Sequence, residues 1–68
     1  MPEVDARLTS RELAALAAVS KGKTNEEIAT EWYVSESTVK THLRNAHAKL
    51  KARSRAHAVA LAIRAGLI

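Results

Sequence analysis

Three times before residue 39 a threonine or serine is answered three positions later: Thr9 by Glu12, Thr24 by Glu27 and Ser35 by Thr38. A hydroxyl at the first position accepts a hydrogen bond from the backbone N–H three residues on, and a glutamate there returns one to the cap. Each pair therefore marks the start of a helix. Leu8 and Leu13, and later Val34 and Val39, stand at the positions of a hydrophobic staple around the first and third caps. The third start lacks the glutamate, because Thr38 takes its place.

Apolar spacing fills in the helices. The first is predicted from about Ser10 to Ser20, with Leu13, Leu16, Ala17 and Ser20 inward and Gly22 supplying the left-handed residue that ends it. A second, short helix starts near Asn25 and turns Ile28, Ala29 and Trp32 inward; Trp32 continues the Ile28 stripe and reads as core, and Tyr33 as exposed beside the turn. The third, about residues 36–50, places Val39, Leu43, Ala46 and Leu50 on one narrow stripe. Ser37, Lys40, Thr41, Arg44, Ala48 and Lys51 fall opposite. A fourth helix begins at Ser54 or Arg55 and ends at Ala65, before Gly66. The fold class is all-α, with four helices over residues 8–68 and a flexible arm or linker remnant over residues 1–7, where Pro2 and alternating charges leave little to bury.

Sixty-eight residues support one small core. There is no cysteine, and His42, His47 and His57 lack the i, i+4 spacing of a helical metal pair, so no metal or cofactor is expected. The longest apolar run, Ala58 to Ile63, is far short of the ~20 residues that span a bilayer. No stretch resembles a signal peptide, and the expected compartment is the cytoplasm. No nucleophile, base and orienting acid recur together and no glycine-rich phosphate loop occurs, which argues against an enzyme.

Charge is distributed unevenly. All seven acids lie in residues 1–36 beside four bases, a net −3, whereas residues 37–68 hold seven bases and no acid. A solvated helix face usually interleaves both signs for i, i+4 pairing. A half without a single carboxylate points to a polyanion partner.

A short helix, a tight turn and a cationic helix make a helix-turn-helix, whose second helix enters the DNA major groove. The hydroxyls of Ser35, Ser37 and Thr38 can cap that helix or donate to phosphate, Ser35 being the cap by position. Here LTSRE at 8–12, NEEIA at 25–29, SESTVKTHLRNAHAKL at 35–50 and SRAHAVALAIRAGLI at 54–68 together resemble the DNA-binding domain of the LuxR family, also called the GerE type. The blocks match in order and spacing over nearly the whole chain from Leu8. The resemblance implies a four-helix fold that binds double-stranded promoter DNA as a dimer, present here as an isolated effector domain or a stand-alone member. It assigns base contacts to Lys40, Thr41 and Arg44, the residues the helical wheel also turns outward, and backbone or flanking contacts to Ser37 and Thr38; at the start of the second helix Asn25 is placed to touch phosphate. Trp32-Tyr33 and Lys51-Ala52 depart from the family's usual leucine before the turn and glycine after the third helix.

The fourth helix carries more apolar surface than one small core needs. Ala58, Ala62 and Ala65 form one stripe, while Ala56, Val59, Ala60 and Ile63 occupy much of the other side. Alanine-rich surface alone costs little. Val59 and Ile63, four apart, suggest instead a homodimer through this helix, as the resemblance also implies. No small-molecule ligand is expected in the domain. Besides a DNA-binding regulator, the residues admit a protein-interaction module whose basic face meets an acidic protein; steep salt dependence and preference among DNA sequences would separate the two.

Overall fold

The computed structural model describes residues 7–68. Four helices follow one another: α1 Ser10–Ser20, α2 Asn25–Trp32, α3 Glu36–Leu50 and α4 Arg55–Arg64. The described residues contain no strand. The predicted arm lies outside the described residues except for Arg7, whose carbonyl accepts a hydrogen bond from Lys49 Nζ at 3.2 Å.

Each helix begins at the residue its sequence marks. Thr9 Oγ1 accepts from Glu12 N at 3.1 Å while Glu12 Oε1 accepts from Thr9 N at 2.9 Å. Thr24 and Glu27 repeat the exchange at 3.1 and 2.8 Å. Ser35 Oγ accepts from Thr38 N, and Ser54 Oγ from His57 N.

All four helices end the same way. One or two places past the helix an N–H turns back to the carbonyl three residues before it, and the next N–H reaches one carbonyl further, the paired bonds of a Schellman motif. The longer bonds are Lys23 N to Ala18 O, Val34 N to Ala29 O, Ala52 N to His47 O and Leu67 N to Ala62 O, all between 2.9 and 3.1 Å. The motif needs one residue with positive φ. Gly22 and Gly66 supply it after α1 and α4, as their positions predicted; Tyr33 (φ 59°) and Lys51 (φ 57°) supply it after α2 and α3. A side chain there crowds the backbone and costs about 1–2 kcal/mol relative to glycine.

The core centres on α3, which packs against α1, α2 and α4. Val39, Leu43, Ala46 and Leu50 are all buried, as the stripe predicted. They meet Leu8, Ala15 and Leu16 before and along α1, Ile28 and Ala29 on α2, and Ala58 and Ala62 on α4. Burying a leucine or valine fully stabilises by about 1.5–3 kcal/mol, so Val39, Leu43 and Leu50 each contribute substantially to holding the bundle.

The predicted inward face of α1 requires a correction. Leu16 is buried, but Leu13 and Ala17 are half-buried and Ser20 is exposed, its hydroxyl donating to Ala17 O at 2.6 Å. The buried line is Glu12, Ala15 and Leu16. Two bonds to the Glu12 carboxylate, from Thr9 N and from Lys49, satisfy this acid where it is buried. Ala65, expected as the last residue of α4, is instead the residue that follows it, and it is exposed rather than part of the Ala58–Ala62 stripe. Trp32 is half-buried: it packs on the core, with the Arg11 guanidinium 4.7 Å above its ring and His42 edge-on at 6.3 Å.

Candidate nucleic-acid interface

The outer face of α3 is fixed by what its inner face does. With Val39 and Leu43 fully inward, Lys40, Thr41 and Arg44 are carried to the opposite side, and all three are exposed. Lys40 and Arg44 make no hydrogen bond or ion pair among the described residues. Four of the other cations are committed: Lys23 pairs with Glu31, Lys49 with Glu12, Arg11 lies over Trp32, and Arg55 Nη2 donates to Asn25 Oδ1 at 2.9 Å. Thr41 Oγ1 donates to Ser37 O at 2.9 Å. Its hydroxyl hydrogen thus serves the helix, and its methyl group and oxygen lone pairs remain for an external partner.

At the start of α3 three hydroxyls share one turn. Ser35 Oγ lies 3.1 Å from Ser37 Oγ and 3.0 Å from Thr38 Oγ1 and caps the helix through Thr38 N. All three side chains are exposed. Unpaired N–H groups and the positive end of the helix dipole make this end favourable to an anion, tempered by the Glu36 carboxylate in the same turn.

Asn25 is half-buried at the start of α2, with its carbonyl oxygen held by Arg55. Its amide hydrogens are the groups it can still offer. Sequence reading missed Arg55, and the signal available was its place in the basic run Lys51, Arg53, Arg55 between α3 and α4. The Arg53 N–H donates to His57 Nδ1 at 2.9 Å, closing that loop against α4.

Lys49, at the edge of α3, is turned back onto the domain. Its ammonium is 2.9 Å from Glu12 Oε1, and it is occupied within the domain. Burial pushes the Glu12 carboxyl upward as the largest single influence. The Lys49 hydrogen bond, the Thr9 N–H and the charges of Lys49 and His42 outweigh it, so the group lies below its ordinary value. His47 is displaced downward by burial first and by the Arg55 charge second, and its Nε2 is buried without a hydrogen-bond partner.

On α4, Ile63 is 55% exposed and Ala56 is exposed, whereas Val59 and Ala60 are half-buried and Val59 packs partly on the domain's own core. The described residues include no helix long and apolar enough to cross a membrane and no group of three or more side chains suited to a metal.

The sequence profile of the family described as bacterial regulatory proteins, luxR family, matches residues 6–62. Among similar proteins are the uncharacterized transcriptional regulatory protein YxjL of Bacillus subtilis (strain 168), 47% identical over 88% of this chain and 28% of its own, and the transcriptional regulatory protein LiaR of the same strain, 43% identical over 90% and 29%. The response regulator protein VraR of Staphylococcus aureus (strain NCTC 8325 / PS 47) is 41% identical over 90% and 29%. The crystal structure of the response regulator ChrA, of a heme-sensing two-component system, superposes with a TM-score of 0.85 at 36% identity, over 90% of this chain and 30% of that one. The chain thus spans less than a third of the length of these relatives.

Proposed function

Because the chain belongs to the luxR family of bacterial regulatory proteins, we propose that it recognises double-stranded promoter DNA in the cytoplasm, as a transcriptional regulator or the effector domain of one. It acts by binding and carries out no chemistry. The observation that carries this reading is the pair Lys40 and Arg44: two exposed cations, one turn apart, unpartnered among the described residues, opposite a fully buried stripe on one helix.

In the proposed complex α3 lies in the major groove. Arg44 or Lys40 donates to guanine O6 and N7, and a bidentate contact of this kind discriminates by about 1–3 kcal/mol. Thr41 offers its methyl group to thymine. Ser37, Thr38 and the first N–H groups of α3 hold one phosphate strand, with Ser35 keeping the turn in shape, while the Asn25 amide reaches phosphate from the start of α2. Two copies meet through Ala56, Val59, Ala60 and Ile63 of α4, so the preferred site is an inverted repeat.

Selection of bound fragments from random duplex DNA tests the reading. Recovery of a common motif with two-fold symmetry supports it. Binding without sequence preference, or affinity for an acidic protein surface in its place, contradicts it.

A further inference from the structure

Resting on that DNA-binding reading, we infer that Tyr33 contacts the DNA backbone beside the groove, as a sequence-independent anchor for the start of α3. Four helix ends in this chain need a residue of positive φ, and α1 and α4 use glycine. At the end of α2, two residues before the Ser35 cap, the chain instead carries a tyrosine at φ 59° and ψ 42°. Its side chain is 95% exposed, the most exposed of the large hydrophobic residues described. No hydrogen bond or ring contact engages its side chain, whereas Trp32 beside it is held by Arg11 and His42. The ring therefore does nothing for the fold that glycine would not do better.

Its neighbours in the chain define what it can meet. Val34, also partly exposed at 37%, and the hydroxyls of Ser35, Ser37 and Thr38 follow directly, and this stretch introduces α3 to its partner. A phenol combines an apolar face, suited to a deoxyribose, with a hydroxyl that donates to a phosphate oxygen. Both groups repeat at every nucleotide, so the contact adds affinity and register without reading sequence.

Tyr33→Gly separates strain from contact, because the two move in opposite directions. The variant should melt at or above the parent's temperature, while its affinity falls about threefold to tenfold for both the selected duplex and a scrambled duplex of equal length. Should the glycine variant fail to fold, Tyr33→Asn, which tolerates the same backbone geometry, is measured in its place with the same expectation. Unchanged affinity for both duplexes overturns the assignment and leaves the ring for a protein partner. A loss confined to the selected duplex overturns it too, since that would be base readout. A parent chain that binds neither duplex overturns the DNA reading and this inference together.

Discussion

Lys49 Nζ lies 2.9 Å from Glu12 Oε1, joining the last turn of α3 to the first turn of α1 across 37 residues of chain. The same carboxylate oxygen caps α1 through Thr9 N, and the same ammonium reaches Arg7 O. One lysine thus fastens both the first turn of α1 and the start of the described chain to α3. Lys49→Met leaves Glu12, only 3% exposed, without its counter-charge. Breaking a fully buried pair costs about 3–5 kcal/mol; with the Lys49 side chain 29% exposed, solvent screening reduces the expected loss to about 1–3 kcal/mol. Urea denaturation of the single variants and of Lys49→Met combined with Glu12→Gln should show non-additivity. Additive losses would mean that the pair is incidental.

Two groups with displaced pKa values give the stability a two-step pH dependence. His47 is held below its ordinary 6.5 in the folded state, so as pH falls through 6.5 the unfolded chain takes up a proton the folded chain refuses, and stability drops until pH reaches the folded value. Glu12 is held below its ordinary 4.5, so its contribution is full above 4.5 and is lost as pH falls through the lower folded value. Thermal melts between pH 8 and 3 should show both steps. His47→Gln should remove the first and leave the second; a variant that kept the first step would assign it elsewhere.

Lys51 holds a positive φ at the end of α3, with Ala52 N closing on His47 O at 3.0 Å. Lys51→Gly should raise stability by about 1 kcal/mol, and Lys51→Ala, which loses the charge but keeps the Cβ, should not. Equal melting temperatures for the two would place the effect in the charge rather than the backbone.

Ile63 is the one exposed large hydrophobic side chain of α4. If it pairs with its copy across a two-fold axis, Ile63→Glu abolishes cooperative binding to a full inverted repeat while binding to one half-site stays near the parent value. Equal losses on both sites would place Ile63 in the structure of a single copy, and no loss on either would remove it from the contact between copies.

What sequence reading reached and what it missed divide along the range of the interactions. Thr9, Thr24 and Ser35 act on backbone three residues away, and Gly22 and Gly66 end helices by their own conformational freedom, so these boundaries were legible. The α3 stripe was legible because its period repeats through four residues, Val39 to Leu50, with no polar residue in it. Glu12 was not: a carboxylate faces inward only when a cation reaches it, and Lys49 arrives from the far end of another helix. For the same reason the hold of Arg55, from the start of α4, on Asn25 at the start of α2 was not legible. Tyr33 and Lys51 escaped as helix terminators because the Schellman bonds that impose their geometry are satisfied at a cost that composition does not display. The outward positions of Lys40, Thr41 and Arg44 followed from the buried stripe; their contact with bases is a matter of the complex.

The most direct measurement is therefore on Arg44. Its affinity contribution is read by comparing the parent chain and Arg44→Ala on the selected duplex, on duplexes altered at each base pair in turn, and on a scrambled duplex, all at one fixed salt concentration. With Arg44 donating to a guanine, the variant loses about 1–3 kcal/mol on the selected duplex and its preference flattens at one base position, while its preference elsewhere is retained. Unchanged affinity together with an unchanged base preference would place α3's outer face away from the DNA and contradict the proposed mode of recognition.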